Sequence, residues 1–180
     1  MIHAFLIDLD GVIRLWDDEH DRLTEQHFGL PPRTLRTIAF APVLLEPVIT
    51  GKTSDEVWRH QIEQRLAEQF PWCDAAAVTQ CWSTPAGAID QQMLCLVRQC
   101  RQHIPVGLIT NTTSRLSRDL EQLQLSDEFD VIINSSIIGS AKPSWGIFQA
   151  ALAALPAQPA TTLFIDDSPG HVQTACLKTS

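Results

Sequence analysis

The stretch Ala4-Phe5-Leu6-Ile7-Asp8-Leu9-Asp10-Gly11-Val12 decides the fold, because four apolar residues without alternation end in two carboxylates one residue apart. A short continuous apolar run reads as a strand buried on both faces, the kind found in parallel sheets. In open α/β sheets ligands collect outside the carboxyl ends of the strands, and Gly11 lets the backbone turn sharply there. Two carboxylates at such a place point to a cation and to acid–base chemistry. Alone, the D-x-D-G stretch fits equally a calcium-type loop or a solvated turn after a strand.

Further along the chain three more strand-like runs end in polar residues. Val106 to Ile109 stops at Thr110-Asn111, Val131 to Ile133 forms a shorter run, and Thr161 to Ile165 stops at Asp166-Asp167. Helical stripes separate them: Ile89, Met93, Leu96, Val97 and Cys100, then Leu116, Leu120 and Leu123. A further helix, opened by Ala141-Lys142-Pro143, carries Ile147, Phe148, Ala151, Leu152 and Leu155 on one face. Strands alternating with helices predict an α/β chain with a Rossmann-like, doubly wound parallel sheet. That topology brings Asp8, Thr110 and Asp166-Asp167 to one sheet edge.

Between about Leu15 and Gly87 no run of parallel-sheet type occurs, and the segment reads as an insert of several helices. His20 to Phe28 closes at Gly29 and Pro31-Pro32; Val57, Trp58, Ile62 and Leu66 follow a cap at Thr53 or Ser54; Asp74 to Trp82 makes another. The expected organisation is a core of residues 1–14 and 88–180 interrupted by a helical unit of residues 15–87.

With 180 residues, 44% of them hydrophobic, the chain can bury a substantial core. A net charge of -8 and a pI near 5.1 argue against nucleic-acid and anionic-membrane binding. No apolar stretch approaches the roughly 18 residues of a membrane span, and Met1-Ile2-His3 leads directly into a strand; a cytoplasmic protein is expected. The cysteines (Cys73, Cys81, Cys95, Cys100 and Cys176) show no C-x-x-C spacing and read as buried free thiols. The histidines are scattered without metal-ligand spacing, so zinc chemistry finds no support.

On Asp8-Leu9-Asp10-Gly11-Val12, Thr110-Asn111, Lys142-Pro143 and Asp166-Asp167, in that order, the chain resembles the haloacid dehalogenase (HAD) superfamily over nearly its whole length. The resemblance implies a phosphatase that hydrolyses a small phosphorylated metabolite. Asp8 is then the nucleophile that forms an aspartyl-phosphate, and Asp10 the acid and base that protonates the leaving oxygen and activates water. Asp8, Asp10 and Asp166 or Asp167 are the implied Mg²⁺ ligands, Asp10 through its backbone carbonyl, with the two adjacent aspartates not separable. Thr110, the backbone N–H of Asn111 and Lys142 are implied to hold the phosphoryl oxygens. Read without the resemblance, Lys142 could be a surface residue, although it is one of only three lysines and precedes a helix-opening proline. Asp166-Asp167 could likewise be a capping pair before Pro169.

Asp10 favours a phosphatase over a dehalogenase, which needs no acid for a leaving halide. A sugar-phosphate mutase shares these residues. A phosphonate hydrolase would need a Schiff-base lysine from the insert, where only Lys52 is available. A receiver-like phospho-binding module and an inactive truncated form are the remaining alternatives. The insert falls where the superfamily carries a small helical cap that closes over the site. Arg14, Trp16 and the loop Gly51-Lys52-Thr53 are candidates to reach that site, whereas Trp16 and Trp58 read better as packing and Arg115 as a helix-face charge. The chain stops soon after Asp167, so the family's last strand is expected to be missing, leaving Thr161 to Ile165 as an edge through which copies could self-associate.

Overall fold

The structure is a computed structural model that describes residues 1–177; positions 178–180, assigned above to the core, lie outside the described residues. Strand β1 (Ala4–Ile7) is buried along its whole length. It pairs in parallel with β4 (Val106–Thr110) on one side and β6 (Thr162–Ile165) on the other, and β4 pairs in parallel with β5 (Val131–Asn134). The sheet order β5-β4-β1-β6 puts the first and last strands side by side, so Ile7 lies opposite Leu108 and Ile165. Asp8, Thr110 and Asp166 therefore leave the sheet at neighbouring points.

Alternation of side chains along β1 divides the core in two. Phe5 and Ile7 face one cluster with Leu94, Val97, Leu116 and Leu120, from α6 (Gln91–Arg101) and α7 (Leu116–Gln122). Ala4 and Leu6 face the other, with Ile147, Phe148 and Ala151 of α9 (Trp145–Ala154). A short α8 (Ser135–Ile138) follows β5, and α10 (Pro169–Leu177) follows β6.

Residues 18–83 form five helices: α1 (Asp18–His27), α2 (Thr34–Ala39), α3 (Pro42–Ile49), α4 (Asp55–Gln69) and α5 (Ala75–Ser83). They bury a cluster of their own, drawn entirely from positions between Leu30 and Val78, with Leu35, Val48, Ile62 and Leu66 at its centre. Side-chain caps mark the starts that the sequence announced, Ser54 for α4 and Asp74 for α5. The start of α2 is capped from elsewhere: the buried Glu25 carboxylate of α1 accepts from the Arg33 and Leu35 N–H groups.

Several expectations need correction. A two-residue antiparallel ribbon, β2 (Arg14–Leu15) with β3 (Ala88–Ile89), joins the two crossings between sheet and helices. It is too short to leave a periodic signal. The helix after Pro143 begins only at Trp145, since Ala141 to Ser144 make a turn closed by the Ser144 N–H on the Ala141 carbonyl. On α6 the buried stripe is Leu94 and Val97, and Leu96 faces solvent. None of the cysteines is buried: Cys73 and Cys100 are half-buried, and Cys81, Cys95 and Cys176 are exposed. Among the described residues no helix is long and apolar enough to cross a membrane.

Candidate active site

A cavity of about 880 Å³ lies where β1 and β4 end, walled on the far side by residues of the five-helix unit. Asp8, Asp10, Thr110, Asn111 and Asp167 all line it. Lys142 and Asp166 stand directly behind Asp8, so the seven residues singled out in the sequence converge.

Asp8 is buried; its Oδ1 accepts from its neighbour's backbone, Leu9 N–H at 2.7 Å, and forms an ion pair with Lys142 Nζ at 2.8 Å. Burial pushes the Asp8 carboxyl up to about 7, and the Lys142 ammonium offsets part of that rise. The same ammonium donates to Asp166 Oδ2 at 2.6 Å and to the Ile109 carbonyl at 3.0 Å. Two of the three donors of the ammonium are thus in hydrogen bonds, and its contact with Asp8 is an ion pair. Asp166, whose side chain is fully buried, also accepts from the Ser168 N–H at 2.8 Å and lies 2.9 Å from His171 Nδ1. Burial works to raise the Asp166 carboxyl, but Lys142, Ser168 and His171 together hold it below its ordinary value.

The adjacent Asp167 faces the other way, into the cavity. Its carboxylate packs on Gly11: a Cβ built there would meet Asp167 Oδ2 at 2.3 Å, and Gly11 has φ +80°. Glycine is therefore required twice, for the left-handed backbone and for the close approach. Asp8, Asp166 and His171 can also offer three ligand atoms within 4.8 Å of one another. In that group the Asp166 oxygens are already committed to Lys142, Ser168 and His171, whereas Asp8, Asp10 and Asp167 line the cavity together.

Thr110 is fully buried at the end of β4, and its Oγ1 has no hydrogen-bond partner. A buried hydroxyl without a partner costs free energy unless a ligand completes it, and this one lines the cavity beside the carboxylates. The other such atom among the described residues, Thr53 Oγ1, does not line the cavity. Asn111 ties two motifs together: its side chain accepts from Lys142 N–H at 2.7 Å and donates to the Lys142 carbonyl at 2.8 Å.

Asp10 is held by residues that sequence reasoning valued less. Arg14 donates to it twice, Nε to Oδ1 at 2.7 Å and Nη2 to Oδ2 at 2.9 Å, and Trp16 Nε1 donates at 2.6 Å. Arg14 also reaches Asp119 Oδ2 at 2.9 Å, and Asp119 Oδ1 is bound by Arg115 Nε at 2.6 Å. Arg115 continues to the Ser83 and Pro85 carbonyls, on the return crossing from the helices. It is not a helix-face charge, and Trp16 is not a core residue. A second bridge links helices to sheet: the buried Asp55 at the start of α4 accepts from Thr113 Oγ1 at 2.8 Å, while its N–H donates to Ser114 Oγ at 3.1 Å. No local signal marked Asp55, Asp119 or His171, because their partners lie far away in sequence or past a strand end. Gly51 packs against the Ser136 carbonyl of α8, and none of Gly51, Lys52 and Thr53 lines the cavity.

The sequence profile described as "haloacid dehalogenase-like hydrolase" matches residues 2–175. A curated relative, "Phosphatase MT3486" of Mycobacterium tuberculosis (strain CDC 1551 / Oshkosh), is 38% identical over 191 residues, covering 97% of this chain and 82% of its own length. Among solved structures, the HAD family enzyme bt-2542 of Bacteroides thetaiotaomicron, in complex with magnesium and inorganic phosphate, aligns with a TM-score of 0.76 at 21% identity. That alignment covers 99% of this chain and 91% of that one. The L-2-haloacid dehalogenase of Xanthobacter autotrophicus, with chloropropionic acid covalently bound, aligns at 0.69 and 17%, over 98% and 74% of the two chains. At such identities these two likenesses establish the fold and do not choose between reactions. With its parallel four-stranded sheet, its converging motifs and a profile match over almost all its length, this chain belongs to the haloacid dehalogenase-like hydrolase family.

Proposed function

We propose that this chain is a Mg²⁺-dependent phosphatase that hydrolyses a phosphorylated metabolite through an aspartyl-phosphate on Asp8. The observation that carries this reading is the unpartnered, fully buried Thr110 Oγ1 beside Asp8 and Asp10, a donor waiting for an oxygen that the protein does not supply. Asp8 Oδ attacks phosphorus as the ester P–O bond breaks, and Asp10 gives its proton to the departing alkoxide. Asp10, now a carboxylate, takes a proton from water. The water oxygen bonds to phosphorus, the Asp8–phosphorus bond breaks, and both carboxyls return to their starting states. Lys142 acts through its charge, paired with Asp8 while it donates to Asp166 and the Ile109 carbonyl.

Asp8, the Asp10 backbone carbonyl and Asp167 would hold the metal, which when bound offsets the repulsion between the carboxylates and the phosphate dianion. Asp166 supports Lys142 from behind. The helical unit of residues 15–87 serves as the cap that walls the site from water. The curated relative's name, a phosphatase, and the magnesium and phosphate of the Bacteroides enzyme support the same reading. Against a phosphonate hydrolase stands Lys52, exposed and not among the residues that line the cavity.

The test is hydrolysis of p-nitrophenyl phosphate by folded wild type and Asp8→Asn, each with Mg²⁺ and with chelator. Turnover that needs both Asp8 and the metal supports the proposal. A folded wild type without turnover overturns it.

A further inference from the structure

The cavity is larger than a phosphate and a short carbon chain require. Its 880 Å³ falls in the range of sites for ring-sized ligands. Opposite the carboxylates, its wall is aromatic: Phe40, Trp58 and Trp82 meet edge to face, with ring centroids 5.8 to 6.5 Å apart. Trp16 closes the wall on the side of Asp10.

These rings carry no spare polar handle. The indole N–H of Trp58 donates to the Ala39 carbonyl, that of Trp82 to Asp21, and that of Trp16 to Asp10. Two cations on the same wall are paired within the protein, Arg36 with Asp18 and Arg59 with Asp55. Packing of the helical unit explains Trp58, which is buried; Phe40, in edge contact with Trp58 and Trp82, remains 46% exposed, and Trp16, whose ring carries the Arg14 guanidinium at 4.7 Å, 49%. Large apolar surface left open inside a polar-floored cavity marks a ligand contact.

Resting on the phosphatase reading, we infer that the group esterified to the substrate phosphate is a flat aromatic or heteroaromatic ring, packed against Phe40, Trp82 and Trp16 while the phosphate sits at Asp8 and Thr110.

Two phosphonates that cannot be hydrolysed test this by calorimetry with Mg²⁺ present: 2-naphthylmethylphosphonate and (decahydro-2-naphthyl)methylphosphonate, alike in charge, linker and carbon count but differing in ring character. The naphthyl compound is expected to bind about tenfold tighter. Phe40→Ala, a change at a half-exposed side chain, should narrow that ratio to about threefold or less. Equal affinities, or a ratio unmoved in a Phe40→Ala protein with native circular dichroism, overturn the inference. Turnover of p-nitrophenyl phosphate by the same preparation judges the phosphatase reading separately, so that either can fail while the other stands.

Discussion

Arg14 grips Asp10 with two parallel N–H donors while its third arm holds Asp119, so one buried guanidinium joins the loop after β1 to α7. It sits in β2, at the outward crossing to the helices, and Gly87 of the return crossing packs on its side chain; a Cβ there would meet Arg14 Cγ at 2.8 Å.

Removing this cation strands two carboxylates. Arg14→Met should lower the unfolding free energy by about 3 kcal/mol, since a buried charge that loses its partner costs several. Asp119 keeps Arg115 and Asp10 is a third exposed, which holds the loss below the upper range. Arg14→Lys should recover only part, because an ammonium cannot form the fork. Urea denaturation measures both, and a loss below about 1 kcal/mol in Arg14→Met would mean the pairs behave as solvated ones.

Gly11→Ala should act on Asp167. Left-handed backbone costs an alanine about 1–2 kcal/mol, and the new methyl would also displace the Asp167 carboxylate. Mg²⁺ affinity should fall by about tenfold or more, as when a group supporting a metal ligand is moved. Gly29→Ala is the control, with φ +69° and nothing within 4 Å of its Cβ. It should lose a similar backbone term and bind Mg²⁺ as wild type does in calorimetry. Equal Mg²⁺ affinity in both variants would remove Asp167 from the metal site.

The parts of this site that the sequence displayed are those fixed by local pattern. β1, β4 and β6 announce themselves as apolar runs with polar ends, and parallel pairing makes their ends neighbours. Asp166 and Asp167 could not be told apart, because adjacent side chains leave the backbone in opposite directions, and which one meets Lys142 depends on the exact exit of β6. Arg14 read as a candidate to reach the site, but its tie to α7 was hidden for a similar reason. Its partner Asp119 lies 105 positions away on a helix whose apolar stripe explained it without that contact. The Arg115 link to the return crossing was hidden in the same way, since its acceptors are backbone carbonyls, which every sequence has.

Burial of Asp8 gives the metal-free protein a pH signature. Its carboxyl stands at about 7 in the folded chain against an ordinary 3.8, so the folded state binds this proton more tightly than the unfolded state does. The stability this contributes is fully present below pH ~4 and is lost as pH rises through ~7, at up to about 1.4 kcal/mol per pH unit. Asp166 is shifted downward, so its contribution is in place above its ordinary value and does not change in this window. With chelator present, the melting temperature should fall between pH 5.5 and 8, and Asp8→Asn should flatten that fall. Added Mg²⁺ should stabilise the wild type most at pH 8, where Asp8 is ionised. A flat wild-type profile in chelator would contradict a buried, proton-binding Asp8.

Asp10 has two duties in the proposed reaction, and p-nitrophenyl phosphate separates them. Its leaving group is a stable phenolate that departs without a proton, so the first step survives in Asp10→Asn while the water attack loses its base. Steady turnover should drop by about 10²–10⁴, the usual worth of a general acid–base group. Rapid mixing should then show a burst of one nitrophenolate per active site, followed by a slow phase while phosphate stays on Asp8. Alkyl phosphates, whose alkoxide needs the proton, should show no burst in the same variant. Asparagine keeps an acceptor for Arg14 or Trp16, so the loop should hold its shape. Unchanged steady turnover in a folded Asp10→Asn protein would show that this carboxylate serves Arg14 and Trp16 alone.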